Sequence, residues 1–141
     1  MKAIIILAFG VLISCSMNSE SVKKSISIDE EIEAKIKTGK KYILGIAIKG
    51  ESRNQPEEVV EQLQKEHLRF LYDLRQKGIL LIGGPILHEG TQMNGMCILA
   101  LESKSEAEKI MKNDPMVTSG RMTREFYTFF GTPGEGLPKA E

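Results

Sequence analysis

Two segments of this chain, Lys41 to Lys49 and Met96 to Glu102, are apolar at almost every position, and this constrains the fold more than any other feature. Successive side chains of an extended chain project to opposite faces. Tyr42, Leu44, Ile46 and Ile48 therefore point one way, and Ile43 and Ala47 the other. In the second segment Met96, Ile98 and Ala100 oppose Cys97, Leu99 and Leu101. A sheet made of such strands is apolar on both faces, and water can be left on neither without exposing a large apolar patch.

The rest of the chain supplies one set of covers. Pro56 opens a helix whose acidic first turn, Glu57 and Glu58, suits the positive end of the helix dipole. It runs to about Lys77, and Gly78 ends it. Ile79 to Ile82 forms a second strand, broken by Gly83-Gly84-Pro85, and a loop through Asn94-Gly95 leads into the third. Ser103 and Glu106 form a capping box for a helix to about Asn113. Asp114-Pro115 starts a short turn or helix that stops near Gly120, and Met122 to Phe130 is the last strand. This order predicts an α+β, ferredoxin-like βαββαβ sandwich with a four-stranded antiparallel sheet. Both helices cover one face. A second copy of the chain covers the other, giving a symmetric homodimer.

Nineteen basic and nineteen acidic side chains balance, so the basic excess of a nucleic-acid binder is missing. Trp is absent, leaving Phe70, Phe126, Phe129, Phe130 and the tyrosines to supply aromatic packing. Of the two cysteines, Cys97 sits inside an apolar run and reads as a small buried hydrophobe. No Cys/His cluster has metal-ligand spacing, and nothing implies a cofactor.

Lys2 precedes an uncharged run, Ala3 to Ile13, that is too short to span a bilayer as a permanent helix. It ends in Leu12-Ile13-Ser14-Cys15, which resembles the lipobox of bacterial lipoproteins. The resemblance implies that residues 1–14 are a signal peptide and that Cys15 is acylated. The protein is then lipid-anchored in the bacterial cell envelope, on the periplasmic side of a membrane, the outer one where the cell has two. Residues 15–40 read as a polar tether, with a short helix capped by Ser27 and Glu30 and striped by Ile28, Ile32 and Ile36. The domain proper spans 41–131, followed by an irregular tail, 132–141.

Candidate functional residues are few. Val60, Leu63, His67, Leu71 and Leu74 follow helical spacing, which places an imidazole in an otherwise apolar stripe. A ring buried there must be hydrogen-bonded or border a pocket. His67 is either a satisfied structural histidine or a general base. Asp114 before Pro115 is a good helix N-cap, and it is also a carboxylate able to orient an imidazole. Gly83, Gly84 and Pro85 form either a tight turn or a place where backbone amides approach a ligand. Arg69, Arg121 and Arg124 are each either surface groups or anion binders; Arg124 shares a strand face with Met122 and Phe126. His88 lies in a polar loop and reads as solvated.

Glu66-His67-Leu68, the strand GILLIGGPI, the passage ALESKSEAEKIMKNDPMV and the segment SGRMTREFYTFF together resemble the YCII-related domain family of the dimeric α+β barrel superfamily, over roughly Lys41 to Phe130. The resemblance implies a dimer with a pocket at His67, with Asp114 as the partner of that histidine. Superfamily relatives that move or remove protons beside a carbonyl imply a lyase or isomerase that needs no cofactor. Its site pairs His67 with Asp114, and Gly83, Gly84, Pro85 and Arg124 contact the ligand. The other reading is a non-catalytic envelope protein that binds a small molecule in the same cleft.

Overall fold

The computed structural model describes residues 26–87, 90–134 and 136. The expected signal segment and Cys15, His88 and most of the C-terminal tail lie outside the described residues. The described elements are α1 (Ile28–Thr38), β1 (Lys40–Lys49), α2 (Glu57–Gln76), β2 (Leu80–Pro85), β3 (Met93–Leu99), α3 (Lys104–Met111), α4 (Pro115–Thr118) and β4 (Met122–Gly131). The four strands form one sheet in the order β2-β3-β1-β4, with every neighbouring pair antiparallel. This is the ferredoxin-like α+β arrangement expected from the element order, with α1 added in front and α4 inserted before the last strand.

The helix-covered face holds the core. Ile43, Leu74, Leu80, Cys97, Leu99, Leu101, Ala107 and Met111 are buried together, with Phe70, Leu71, Ile79, Ile110 and Phe126 packed against them. Gly45 makes the middle of this face possible. It lies between Cys97 on β3 and Phe126 on β4, and a Cβ there would stand 2.8 Å from Cys97 Sγ and 3.2 Å from Phe126 Cε1. The opposite face presents Tyr42, Leu44, Ile46 and Ile48 of β1 beside Met96 and Ile98 of β3, all half-buried within the single chain.

Several local expectations need correction. Gly83-Gly84-Pro85 does not break the second strand; these residues continue β2 and pair with Cys97, Met96 and Gly95. A proline is tolerated there because β2 is an edge strand, so only alternate amides are needed for pairing. The third strand begins at Met93 instead of Met96, taking in Asn94-Gly95, and ends at Leu99. The irregularity between Ala47 and Ile48 absorbs the change of register. Ser103 Oγ accepts from Glu106 N at 3.2 Å, but the Glu106 carboxylate turns to Glu102 N, so the box is half formed. That helix closes at Met111, two residues short of Asn113.

In α1 the box is complete, with Ser27 N donating to Glu30 Oε2 at 3.0 Å, and Glu31–Lys35 and Glu33–Lys37 pairs support the helix. Its isoleucine stripe lies exposed, so α1 does not dock through it. No helix among the described residues is long and apolar enough to cross a membrane.

Candidate active site

The long helix α2 borders both the core and a cleft. Its C-terminal half buries Leu74, and Gly78, at φ +70°, turns the chain out of the helix into β2. Nearer its N-terminus Val60, Gln64, His67 and Leu71 form one wall of a cleft of about 700 Å³. The floor is sheet, made largely of small residues: Ala47, Gly83, Gly84 and Gly95. At Ala47, Gly83 and Gly95 the missing side-chain bulk leaves the room, whereas Gly84 pairs with Met96 and its missing side chain belongs to the opposite face. A Cβ on Gly95 would approach Gly84 O to 2.9 Å, so the two edge-side strands come close at this point.

His67 is buried, and its Nδ1 lies 2.8 Å from Asp114 Oδ1. Asp114 is 0% exposed. As the N-cap of α4 it also accepts from Met116 N at 3.0 Å through Oδ1. Its other oxygen accepts from Arg124 Nη2 at 2.6 Å. Sequence spacing made Asp114 a cap; the fold makes it a cap, a histidine orienter and a counter-ion at once. Burial alone pushes the carboxyl pKa up, but the hydrogen bonds from His67 and Arg124 outweigh that push and hold it below its ordinary range. An ionised carboxylate only accepts, so Nδ1 of His67 carries a proton and donates it. In the neutral ring Nε2 then keeps its lone pair, and it has no hydrogen-bond partner among the described residues.

Arg124 stands on β4 opposite Ala47, on the helix-covered face. Its side chain is 6% exposed, and its Nη1 lies 4.0 Å from Cys97 Sγ while Nε has no partner among the described residues. Its guanidinium borders the cleft, but its nearest charge is Asp114, which it neutralises. Cys97 is buried as expected and also lines the cleft. Burial pushes its thiol pKa up, a push that the Arg124 charge opposes without cancelling.

Gly83, Gly84 and Pro85 do border the cleft, but as strand residues they offer fewer free amides than a loop. Ile86 N donates to Asn94 O at 3.0 Å. Alternation along β2 then turns Gly84 N toward β3 and Gly83 N outward from the sheet edge. Only Gly83 has a free amide to offer.

Arg53 and Arg121 complete the rim. Gly50 N donates to Arg121 O at 2.8 Å and Ser52 N to Gly120 O at 3.2 Å, which ties the 50–56 loop to the start of β4. Arg53 Nη1 adds a bond to Arg121 O at 3.1 Å, and Gln55 Nε2 one to Ser119 O at 3.2 Å. No sequence signal singles out Arg53, which sits in a polar loop without period. Arg69 is exposed on α2 and does not reach the cleft. No group of three or more His, Cys, Asp or Glu able to hold a metal ion occurs among the described residues.

A family model for the YCII-related domain matches residues 42–129. The chain belongs to the YCII-related domain family. The match starts in β1 and ends in β4, so the family's domain is the sandwich described above and leaves α1 outside it. A search of curated proteins returned no match. Among solved structures, the chain is similar to 5-chloro-2-hydroxyhydroquinone dehydrochlorinase from Burkholderia phenoliruptrix AC1100, determined in complex with 2,5-dihydroxybenzoquinone. The identity is 24%, the alignment covers 67% of this chain and 95% of that one, and the TM-score is 0.43.

Proposed function

We propose that this YCII-related domain is a small-molecule lyase or isomerase that works by proton transfer, with His67 as its general base. The observation that carries the reading is the buried chain of contacts from Arg124 through Asp114 to His67, ending at a ring nitrogen that has no partner among the described residues beside an open cleft. A structural histidine in an apolar stripe needs one satisfied nitrogen and gains nothing from a cleft beside it. An ionised, buried carboxylate on Nδ1 fixes the tautomer and stabilises the imidazolium that forms when Nε2 takes a proton.

The step starts at a carbon next to a carbonyl. Nε2 removes its proton, and the bonding pair moves into a new carbon–carbon double bond as the carbonyl oxygen becomes an enolate. In this reading the free amide of Gly83, at the edge of the cleft, donates to that oxygen. Return of the proton to a different carbon gives isomerisation. Expulsion of a leaving group with its electron pair gives elimination. Pro85 and the small floor residues set the room for the substrate frame.

The same reading places the protein in the bacterial envelope, anchored through lipid on Cys15, and makes it a homodimer in which two open sheet faces meet. The half-buried row of Leu44, Ile46, Ile48, Met96 and Ile98 supports that pairing. Turnover of an unsaturated lactone by the processed protein tests the chemistry. His67→Ala is expected to lower the rate by about 10²–10⁴-fold with the fold kept. An unchanged rate removes His67 from the chemistry, and ligand binding without turnover across a lactone panel makes the protein a binding module instead.

A further inference from the structure

We propose that the compound taken by this cleft is a small organic anion whose carboxylate docks on Arg121. The inference rests on the cleft being the substrate site and names the class of substrate. Arg53, Arg75, Arg121 and Arg124 all line the cleft, whereas no aspartate or glutamate side chain does so among the described residues. Asp114, set behind the wall, answers the charge of Arg124. The other three arginines have no carboxylate partner among the described residues. The walls are therefore cationic with no protein anion to offset them.

Arg121 decides where the anion sits. It is 9% exposed, and the one side-chain bond of its guanidinium among the described residues, from Nη1 to Gln55 Oε1 at 2.7 Å, goes to a neutral amide. A buried cation without a counter-ion is unfavourable, because a neutral acceptor replaces lost hydration but not charge. Arg53 bonds to the Arg121 backbone and adds a second positive charge at the same rim. A planar guanidinium fork matches the two oxygens of a carboxylate. Val60, Leu71 and Met116 on the same walls favour an apolar or aromatic frame on the acid. Arg121 and His67 line the same cleft, so an acid held at Arg121 shares the cleft with the His67 ring.

Calorimetric titration of the processed full-length protein with benzoate and with benzamide, its uncharged isostere, tests this. Benzoate is expected to bind about tenfold tighter or more, and the gap is expected to shrink when salt rises from about 20 to about 300 mM. Arg121→Gln erases the preference for benzoate while leaving benzamide binding unchanged. Arg53→Gln narrows it, and Arg69→Gln, outside the cleft, leaves it intact. Equal affinities for the two probes in the wild-type protein, or an undiminished preference in Arg121→Gln, overturn the proposal. Should Arg121→Gln fail to fold, the wild-type affinity ratio and its salt dependence decide alone. Preference for benzoate without turnover of any lactone leaves this inference standing and overturns the catalytic reading. Turnover that depends on His67, with no preference between the probes, does the reverse.

Discussion

Asp114 accepts three hydrogen bonds with no access to solvent, so its charge must be answered within the protein. Removing it leaves the Arg124 cation buried and His67 Nδ1 without an acceptor. Asp114→Ala is expected to lower the unfolding free energy by about 3–5 kcal/mol in urea denaturation. The double variant Asp114→Ala/Arg124→Met is expected to cost less than the single one, since it leaves no unpaired charge; a larger cost shows that packing, not charge, dominates. The carboxyl pKa is lowered on folding, so its stabilising contribution is fully present above the unfolded value, 3.8, and is lost as pH falls through the folded one. Stability measured from pH 5 downward is therefore expected to fall less steeply in Asp114→Asn than in the wild type.

At the scale of elements, the rim of the cleft depends on two chain segments meeting without side chains between them. A Cβ on Gly50 would stand 2.1 Å from Gly120 O, and Gly120 itself turns at φ +73°. The Gly50 contact is with backbone and cannot be relieved by a rotamer change. Gly50→Ala is expected to destabilise the protein by roughly 1–3 kcal/mol, read from the urea midpoint. It is also expected to weaken benzoate binding, because the loop that carries Arg53 and Gln55 must move off Arg121. Retained binding in a folded Gly50→Ala protein means that the loop does not position Arg121.

For the whole molecule, the question is what covers the second face of the sheet. Tyr42 and Phe129 pack there with ring centroids 6.5 Å apart, and Phe129 and Tyr127 remain exposed in the single chain. The polar relief comes from β4, where Glu125 stands beside Ile46. Sedimentation of the processed protein is expected to give a dimer, and Ile46→Glu, at the centre of that face, a folded monomer. A wild-type monomer at micromolar concentration removes the homodimer from the proposed function.

Periodicity and punctuation made most of this architecture legible in the sequence. His67 falls in the stripe of α2 because a 3.6-residue repeat fixes which side chains share a face, and both Ser caps follow from local hydrogen bonding. Local signals misread Gly83-Gly84-Pro85, since whether a proline breaks a strand depends on whether that strand is at the sheet edge. The same limit applies to charge: Arg121 and Arg124 look alike along the chain, yet one is answered by Asp114 and the other by a neutral amide. The sequence by itself determined the elements, their order and the two apolar faces, because these depend on neighbours within a few residues. That a cap 47 residues from His67 becomes its partner was implied by family resemblance alone, and only the tertiary structure decided its geometry and which arginines lack a counter-ion, because burial and pairing depend on neighbours that folding brings together.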